Sequence, residues 1–380
     1  MIIQSKRVFV SGQFIPAQVH VDEGRISKVE AYGASVPDED YDTLLIVPGF
    51  IDIHTHGMGG YSADEPSPEG LVEWLKTLPS EGVTSFLPTT TTQSRETTIK
   101  ALKNIAFVKK QRHPGAEILG VHLEGPYLDY NFRGMHLEEH LRAPSIEEFI
   151  EYQEVSGNLV KYMTIACEHD DDFSLTRYAS RNGVKVSIGH SAAGFEKAML
   201  ALANGASSFS HSFNAMRAMH HREPGVVGAL MSSDAYAEVI ADGYHVHPNV
   251  VKILFNAKGN RNVILITDSI GVKGLPEGIY DISNVKVSLD RHGTAWIFGT
   301  DTIAGSSLRM NEGVRFLAGR ASVSVETAIL SATLYPAKAI GIENRKGSIR
   351  SGNDADLVVV DDNFDVMAAY CMGVKVYSKQ

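Results

Sequence analysis

Two imidazoles stand two positions apart in the run Val47-Pro48-Gly49-Phe50-Ile51-Asp52-Ile53-His54-Thr55-His56-Gly57. On a β-strand, residues i and i+2 project to the same side, so His54 and His56 could hold one metal ion, neutral imidazole being a common ligand. Alone, the pair reads equally well as a solvated strand end. Other polar residues follow apolar runs in the same way: His122-Leu123-Glu124-Gly125-Pro126, Gly189-His190-Ser191, Ser210-His211-Ser212, Ala241-Asp242-Gly243-Tyr244-His245 and Thr267-Asp268-Ser269. Taken singly, His190 and His211 would be hydrogen-bonded core histidines, and Glu124 or Asp268 a helix cap. Together, one carboxylate and two imidazoles (Glu124, His190, His211) make an open site of the catalytic zinc type. His54 and His56 could hold a second ion, with Glu124 shared between the two. Such an ion acidifies water to near neutral pH. Asp268 is suited to take that proton and later deliver it to a leaving group. His122 reads as a core or supporting residue, His169 as a loop end, and His20, His113, His140 and His292 as solvated.

These residues need a scaffold that brings many strand ends to one place. Eight apolar runs stand out: Gly49–Ile53, Val83–Leu87, Ile118–Leu123, Val160–Ala166, Val184–Ile188, Ser207–Phe209, Ala237–Ile240 and Val263–Ile266. Helical patterns lie between them over Pro68–Leu78, Arg95–Lys109, Ile146–Val155, Ser174–Asn182 and Phe195–Ala203. Strand and helix in alternation predict an α/β fold, a (β/α)8 TIM barrel with its site at the C-terminal ends of the strands. Six of the eight runs end in a histidine or carboxylate, which is hard to ascribe to chance. Both chain ends are instead rich in short strands. Val8 and Val10, Val19 and Val21, and Ile26 and Val29 are separated by turns, with Asp22-Glu23-Gly24 a hairpin tip. Near the other end, Asp356–Val360, a turn at Asp361-Asp362-Asn363 and Gly373–Tyr377 repeat the pattern. The expected organisation is a small β-sandwich module built from both termini (1–46 and 347–380) around a catalytic barrel (47–346).

A length of 380 residues suits one large barrel with an added module. The net charge of −10, with no long basic run, argues against nucleic acid or an anionic membrane surface as partner. Cys167 and Cys371 form no CxxC, which removes disulfide-framework and zinc-finger readings. No leader and no apolar stretch of membrane-spanning length is evident, so a cytoplasmic location is expected.

With these motifs in place, the sequence resembles the amidohydrolase superfamily, whose hallmark is HxH on the first strand and a lone aspartate on the last. Within it, the chain is similar to the N-acetylglucosamine-6-phosphate deacetylases through Pro48–His54, His122–Tyr127, Gly189–Ser191, His211–Met216, Arg222–Gly225, Ile240–Val246, Thr267-Asp268, Ile303–Ser306 and Lys346–Ile349. The resemblance implies hydrolysis of the acetamide of N-acetylglucosamine 6-phosphate, in amino-sugar breakdown and recycling. It implies Glu124, His190 and His211 as main metal ligands and Asp268 as catalytic acid and base. It implies Met135, His136, Asn214, Ala215, Arg222, Asp242, His245, Ile303, Ala304 and Gly305 as substrate contacts. Arg222 and His136 would serve the phosphate as charge-assisted donors, with Asn214-Ala215 adding backbone N–H groups, and His245 the oxyanion or a sugar hydroxyl. Arg222 would reach the neighbouring site of a homodimer. One or two divalent ions are expected, zinc first, with iron, manganese or cobalt accepted by the same ligands. Some relatives replace HxH by Gln and Asn and use one metal, whereas this chain keeps both histidines. The loop Asp129–Met135 departs from the usual Lys-Lys-Gly-Ala, and Arg133 supplies a charge there with a different geometry. Two alternatives compete. A cyclic-amide hydrolase or deaminase would favour a lysine bridge over Glu124, and a catalytically dead sugar-phosphate sensor would be free to lose Asp268 or a ligand.

Overall fold

The computed structural model describes residues 1–379. Eight parallel strands form the barrel: Phe50–Thr55, Val83–Thr90, Val121–Glu124, Val160–Ile165, Lys185–Ile188, Ala206–Phe209, Tyr236–Ile240 and Val263–Ile266. Each pairs with the next in parallel register. Helices cover their outer faces, so strands such as Val263-Ile264-Leu265-Ile266 are buried on both sides and read as unbroken apolar runs. The last strand meets the first through the Asp268 N–H, which donates to His54 O at 2.8 Å. Just below, Thr267 Oγ1 donates to Asp52 Oδ2 at 2.6 Å. Burial pushes the Asp52 carboxyl up to about 6, against the charge of Lys273 and the Thr267 hydrogen bond.

The helices Pro68–Thr77, Arg95–Gln111, Ile146–Ser156, Ser174–Arg181 and Phe195–Ala203 fall on the predicted segments. Ser67, Ser94 and Ser145 cap the first three, each accepting a backbone N–H three residues on. Asp170 and Asp172 accept N–H groups at the start of the fourth, as the acidic triplet suggested. Three features differ from the sequence expectation. The third apolar run splits into Glu117–Ile118, which pairs only with the second strand, and Val121–Glu124, which enters the barrel. The helices Gly225–Ser232, Pro248–Ala257, Met310–Gly319, Val325–Ala332 and Leu334–Ile340 are additional. After the eighth strand comes an antiparallel sheet of Gly278–Ile282, Val285–Leu289, Ala295–Ile297 and Ile303–Gly305. Its last strand returns beside Asp268, where Ser306 N–H donates to Asp268 O at 2.9 Å.

The two termini build one hydrogen-bonded path of strands. Val374–Ser378, Val366–Cys371 and Leu357–Val360 continue through Leu45–Pro48 to Ile2–Val10, Gln13–Asp22 and Arg25–Ala31. The strand Val366–Cys371 had no counterpart in the sequence reading. Ile3, Val8, Val19, Ile46, Leu357 and Val359 form a buried cluster separate from the barrel core. The path curls until its ends touch: Ala355 N–H donates to Gly24 O, and Gly373 N–H to Ala355 O, both at 2.9 Å. Glu23 and Gly24 hold φ of 47° and 79°, as a tight two-residue hairpin turn requires. His20, expected in solvent, is mostly covered and lies 3.0 Å from Glu30. A charged cluster ties this module to the barrel. Arg345 pairs with Glu117 and Asp354, and Lys346 with Glu117, Asp354 and Asp356. Among the described residues, no helix is long and apolar enough to cross a membrane.

Candidate active site

At the C-terminal end of the barrel, five imidazoles converge on the buried carboxylate of Glu124, four of them from strand ends. Its Oε1 lies 3.2 Å from His54 Nε2, 3.3 Å from His190 Nε2 and 3.1 Å from His211 Nε2. Its Oε2 lies 3.2 Å from His56 Nε2. Asp268 Oδ1 stands 3.1 Å from His56 Nε2 and 3.6 Å from His54 Nε2. His190, His211 and Asp268 leave their strands with positive φ of 49°, 28° and 50°. Such backbone costs on the order of 1–3 kcal/mol per non-glycine residue and concentrates at functional sites. Gly57 ends the first strand where a side chain has no room, since a Cβ there would lie 2.1 Å from Tyr61 O.

The second nitrogen of each imidazole sets its tautomer. His54 Nδ1 faces Glu238 Oε2 at 2.8 Å, His56 Nδ1 faces Thr89 O at 3.0 Å, His190 Nδ1 faces Phe132 O at 2.7 Å and His211 Nδ1 faces Asn214 O at 3.2 Å. Each Nδ1 therefore carries the proton, and in the neutral ring each Nε2 presents a lone pair to the centre. This is the arrangement in which metal-ligating histidines are held. His190 and His211 aim their Nε2 atoms at each other across 3.0 Å, a contact that a cation between them would relieve. The donor set of imidazole nitrogens and carboxylate oxygens fits a divalent ion of the zinc or iron type. His54, His56 and Glu124 are close enough to share one ion, and Glu124, His136 and His190 form a second such group.

His136 lies in the same cluster with the opposite tautomer. Its Nδ1 accepts the Thr92 backbone N–H at 3.0 Å, so Nε2 holds the proton and points at Glu124 Oε2, 3.3 Å away. The side chain lines the cavity beside Glu124. His122 has both nitrogens engaged, with Ile53 O at 3.1 Å and Thr164 Oγ1 at 2.8 Å, and supports the strands. His169 bonds to Asp129 Oδ2 at a loop end.

The carboxylates and imidazoles charge one another. Burial opposes ionisation of Glu124, but the charges of His54 and His190 hold its carboxyl well below the usual range. Asp268 is lowered in the same way, burial being outweighed by His54 and His56. Burial also resists a charge on His56, yet hydrogen bonds to Asp268 and Glu124 raise it to about 9. His190 is pushed down to about 4 by burial, which Glu124 only partly offsets.

Above this floor opens a cavity of about 550 Å³. Met135, His136, Asn214, Ala215, His245, Ile303, Ala304 and Gly305 line it, together with His56, Glu124, His190, His211 and Asp268. Two expected contacts do not. Asp242 turns its carboxylate to His245, whose Nδ1 donates to Oδ2 at 2.5 Å, so it orients a wall residue and does not face the cavity. Arg222 is exposed on a turn outside the cavity, donating to His221 Nε2 at 2.6 Å. Sequence reasoning missed Glu238, a carboxylate fully buried between Ala237 and Val239 on the seventh strand. The one available signal was a lone acid inside an apolar strand. It also missed Thr302 in the cavity wall, where Asn131 and Phe132 of the loop Asp129–Met135 also lie.

Comparison with known proteins agrees with this geometry. The amidohydrolase family model matches residues 45–377. The chain is 38% identical to N-acetylglucosamine-6-phosphate deacetylase of Bacillus subtilis (strain 168), covering 93% of this chain and 91% of that protein. It is 33% identical to N-acetylgalactosamine-6-phosphate deacetylase of Escherichia coli O157:H7, covering 98% of each. The crystal structure of N-acetyl-D-glucosamine-6-phosphate deacetylase from Mycobacterium smegmatis superposes with a TM-score of 0.94 at 28% identity, covering 99% of this chain and all of that one. From its barrel, its converging imidazoles and these matches, the chain belongs to the amidohydrolase family.

Proposed function

We propose that this protein hydrolyses the acetamide of N-acetylglucosamine 6-phosphate, releasing acetate and glucosamine 6-phosphate. The observation that carries the reading is the convergence of four imidazole Nε2 atoms and both Glu124 oxygens beside Asp268, at the floor of a cavity. A volume of about 550 Å³ suits one sugar phosphate. Glu124, His190 and His211 would hold one divalent ion, and His54 and His56, with Glu124 shared, a second. Zinc fits this ligand set first, and iron, manganese or cobalt also fit. Such an ion acidifies water and polarises a carbonyl.

The chain's own groups supply the remaining steps. Asp268 takes a proton from the attacking water and gives it to the departing amine, so a poor leaving group departs neutral. His136, with its proton on Nε2, donates to the acyl oxygen as negative charge grows there. Its place beside Glu124 favours this role over phosphate binding. His245, fixed by Asp242, presents its other nitrogen to the sugar or phosphate. Asn214-Ala215 and Ile303–Gly305 add wall contacts near the sugar. The exposure of Arg222 outside its own cavity supports a homodimer in which it reaches the partner's substrate phosphate. Residues 47–346 would be the catalytic unit, 1–46 with 347–380 the supporting module, and the cytoplasm the place of action. The intact metal-type donor set and Asp268 favour this reading over a sensor.

The test is acetate release by purified protein from N-acetylglucosamine 6-phosphate, its galactosamine epimer and unphosphorylated N-acetylglucosamine. The gluco phosphate is expected to turn over fastest, and chelation to abolish the reaction reversibly. The galactosamine epimer is included because one relative, at 33% identity, is named for it. A faster epimer would reassign the substrate, and no turnover with any of the three would remove the reading.

A further inference from the structure

Glu238 does not face the cavity, yet it is tied to two of the converging histidines. Its Oε2 accepts His54 Nδ1–H at 2.8 Å and the backbone N–H of His211 at 3.2 Å. Its own carbonyl accepts the Ser212 N–H at 2.8 Å. Thus one side chain fixes the tautomer of His54 and the exit of the strand that carries His211. The carboxyl is fully buried, and its Oε1 has no hydrogen-bond partner. Among the described residues, no lysine or arginine pairs with Glu238, Glu124 or Asp268. Once the imidazoles are neutral, as ligation of an ion requires, these buried carboxylates lack a counter-charge, which is costly. One divalent ion balances Glu124 and Asp268. The third carboxylate calls for further positive charge in the same cluster, on the side of His54.

We propose that Glu238 is the positioning residue on which occupancy of the His54–His56 position depends. It holds Nδ1–H so that Nε2 is free to ligate, and its charge offsets that of the second ion. The inference rests on the assignment of His54 and His56 to a second ion, and it concerns metal content, not turnover. Two substitutions separate the contributions. Glu238→Gln keeps the shape and an acceptor for His54 but removes the charge. Glu238→Ala removes both.

The experiment strips the whole protein with chelator, reloads it with Co2+ and measures bound metal by elemental analysis and the visible Co2+ spectrum across a titration. Wild type should bind two ions per chain. In Glu238→Gln the first ion should bind as in wild type while the second weakens. In Glu238→Ala, which also frees the His211 backbone N–H, the second should weaken by roughly 10- to 100-fold, the usual effect of removing a residue that orients a ligating histidine. His54→Ala serves as the one-ion reference. Equal two-ion titrations in wild type and both variants would overturn the proposal, as would a wild type that saturates with one ion. If Glu238→Ala fails to fold, the Gln variant decides alone. A protein that binds two ions in the predicted manner but does not deacetylate would refute the proposed substrate and leave this inference standing.

Discussion

His136 shows how a single backbone contact decides what an imidazole can do. The Thr92 N–H occupies its Nδ1, which leaves Nε2 protonated and unable to ligate in the neutral ring. Its four neighbours have the reverse assignment through Glu238, Thr89, Phe132 and Asn214. Removing His136 should therefore slow the chemical step without emptying the metal position. For His136→Ala, kcat is expected to fall about 10²- to 10³-fold, the usual effect of losing one donor to a developing oxyanion. Metal content should match wild type. Steady-state kinetics with elemental analysis checks both, and a loss of metal would make His136 a ligand instead. The roles of Glu238 and His136 were hidden in the sequence because a tautomer depends on partners far along the chain, here 184 and 44 residues away.

At the scale of elements, the link between barrel and terminal module is electrostatic as well as apolar. Glu117 belongs to a two-residue strand beside the barrel and faces Arg345 and Lys346. Burial would raise its carboxyl, but Lys346 and Arg345 bring it down to about 2. A carboxyl lowered on folding adds stability that is present above its unfolded value and is lost as pH falls toward the folded one. The stability difference between wild type and Glu117→Gln should thus be full above about pH 4.5 and vanish by about pH 2. Thermal melts across that range test this, and a pH-independent difference would contradict it. Sequence and structure agree best for the barrel strands, because burial on both faces writes an apolar run. Helix Gly225–Ser232 left no amphipathic period, since six of its eight residues are buried. The sheet over Gly278–Gly305 is short-stranded and partly exposed, so its pattern resembled a loop, although its last strand walls the cavity. Strand ends made the site legible, Asp242 among them, while Glu238 acts through other residues from inside an apolar strand and left no such signature.

For the whole molecule, the barrel gathers groups from strands one, three, five, six and eight, and the cavity they floor is completed by a loop and by the inserted sheet. Arg222 lies outside that cavity, so the proposed phosphate contact requires a second chain. Arg222→Ala and Asp268→Asn should each be nearly inactive alone. Co-expressed as mixed dimers, they should recover roughly a quarter of wild-type activity, since half of the dimers are mixed and each carries one intact shared site. Absence of recovery in verified mixed dimers would place Arg222 in its own chain's chemistry or outside it. The central claim is that Asp268 moves the proton in a metal-dependent deacetylation, and acetate release from N-acetylglucosamine 6-phosphate by metal-matched wild type and Asp268→Asn tests it most directly. The expected result is a loss of about 10²- to 10⁴-fold in kcat in the variant, with metal content unchanged, whereas comparable turnover by the two proteins would contradict the account.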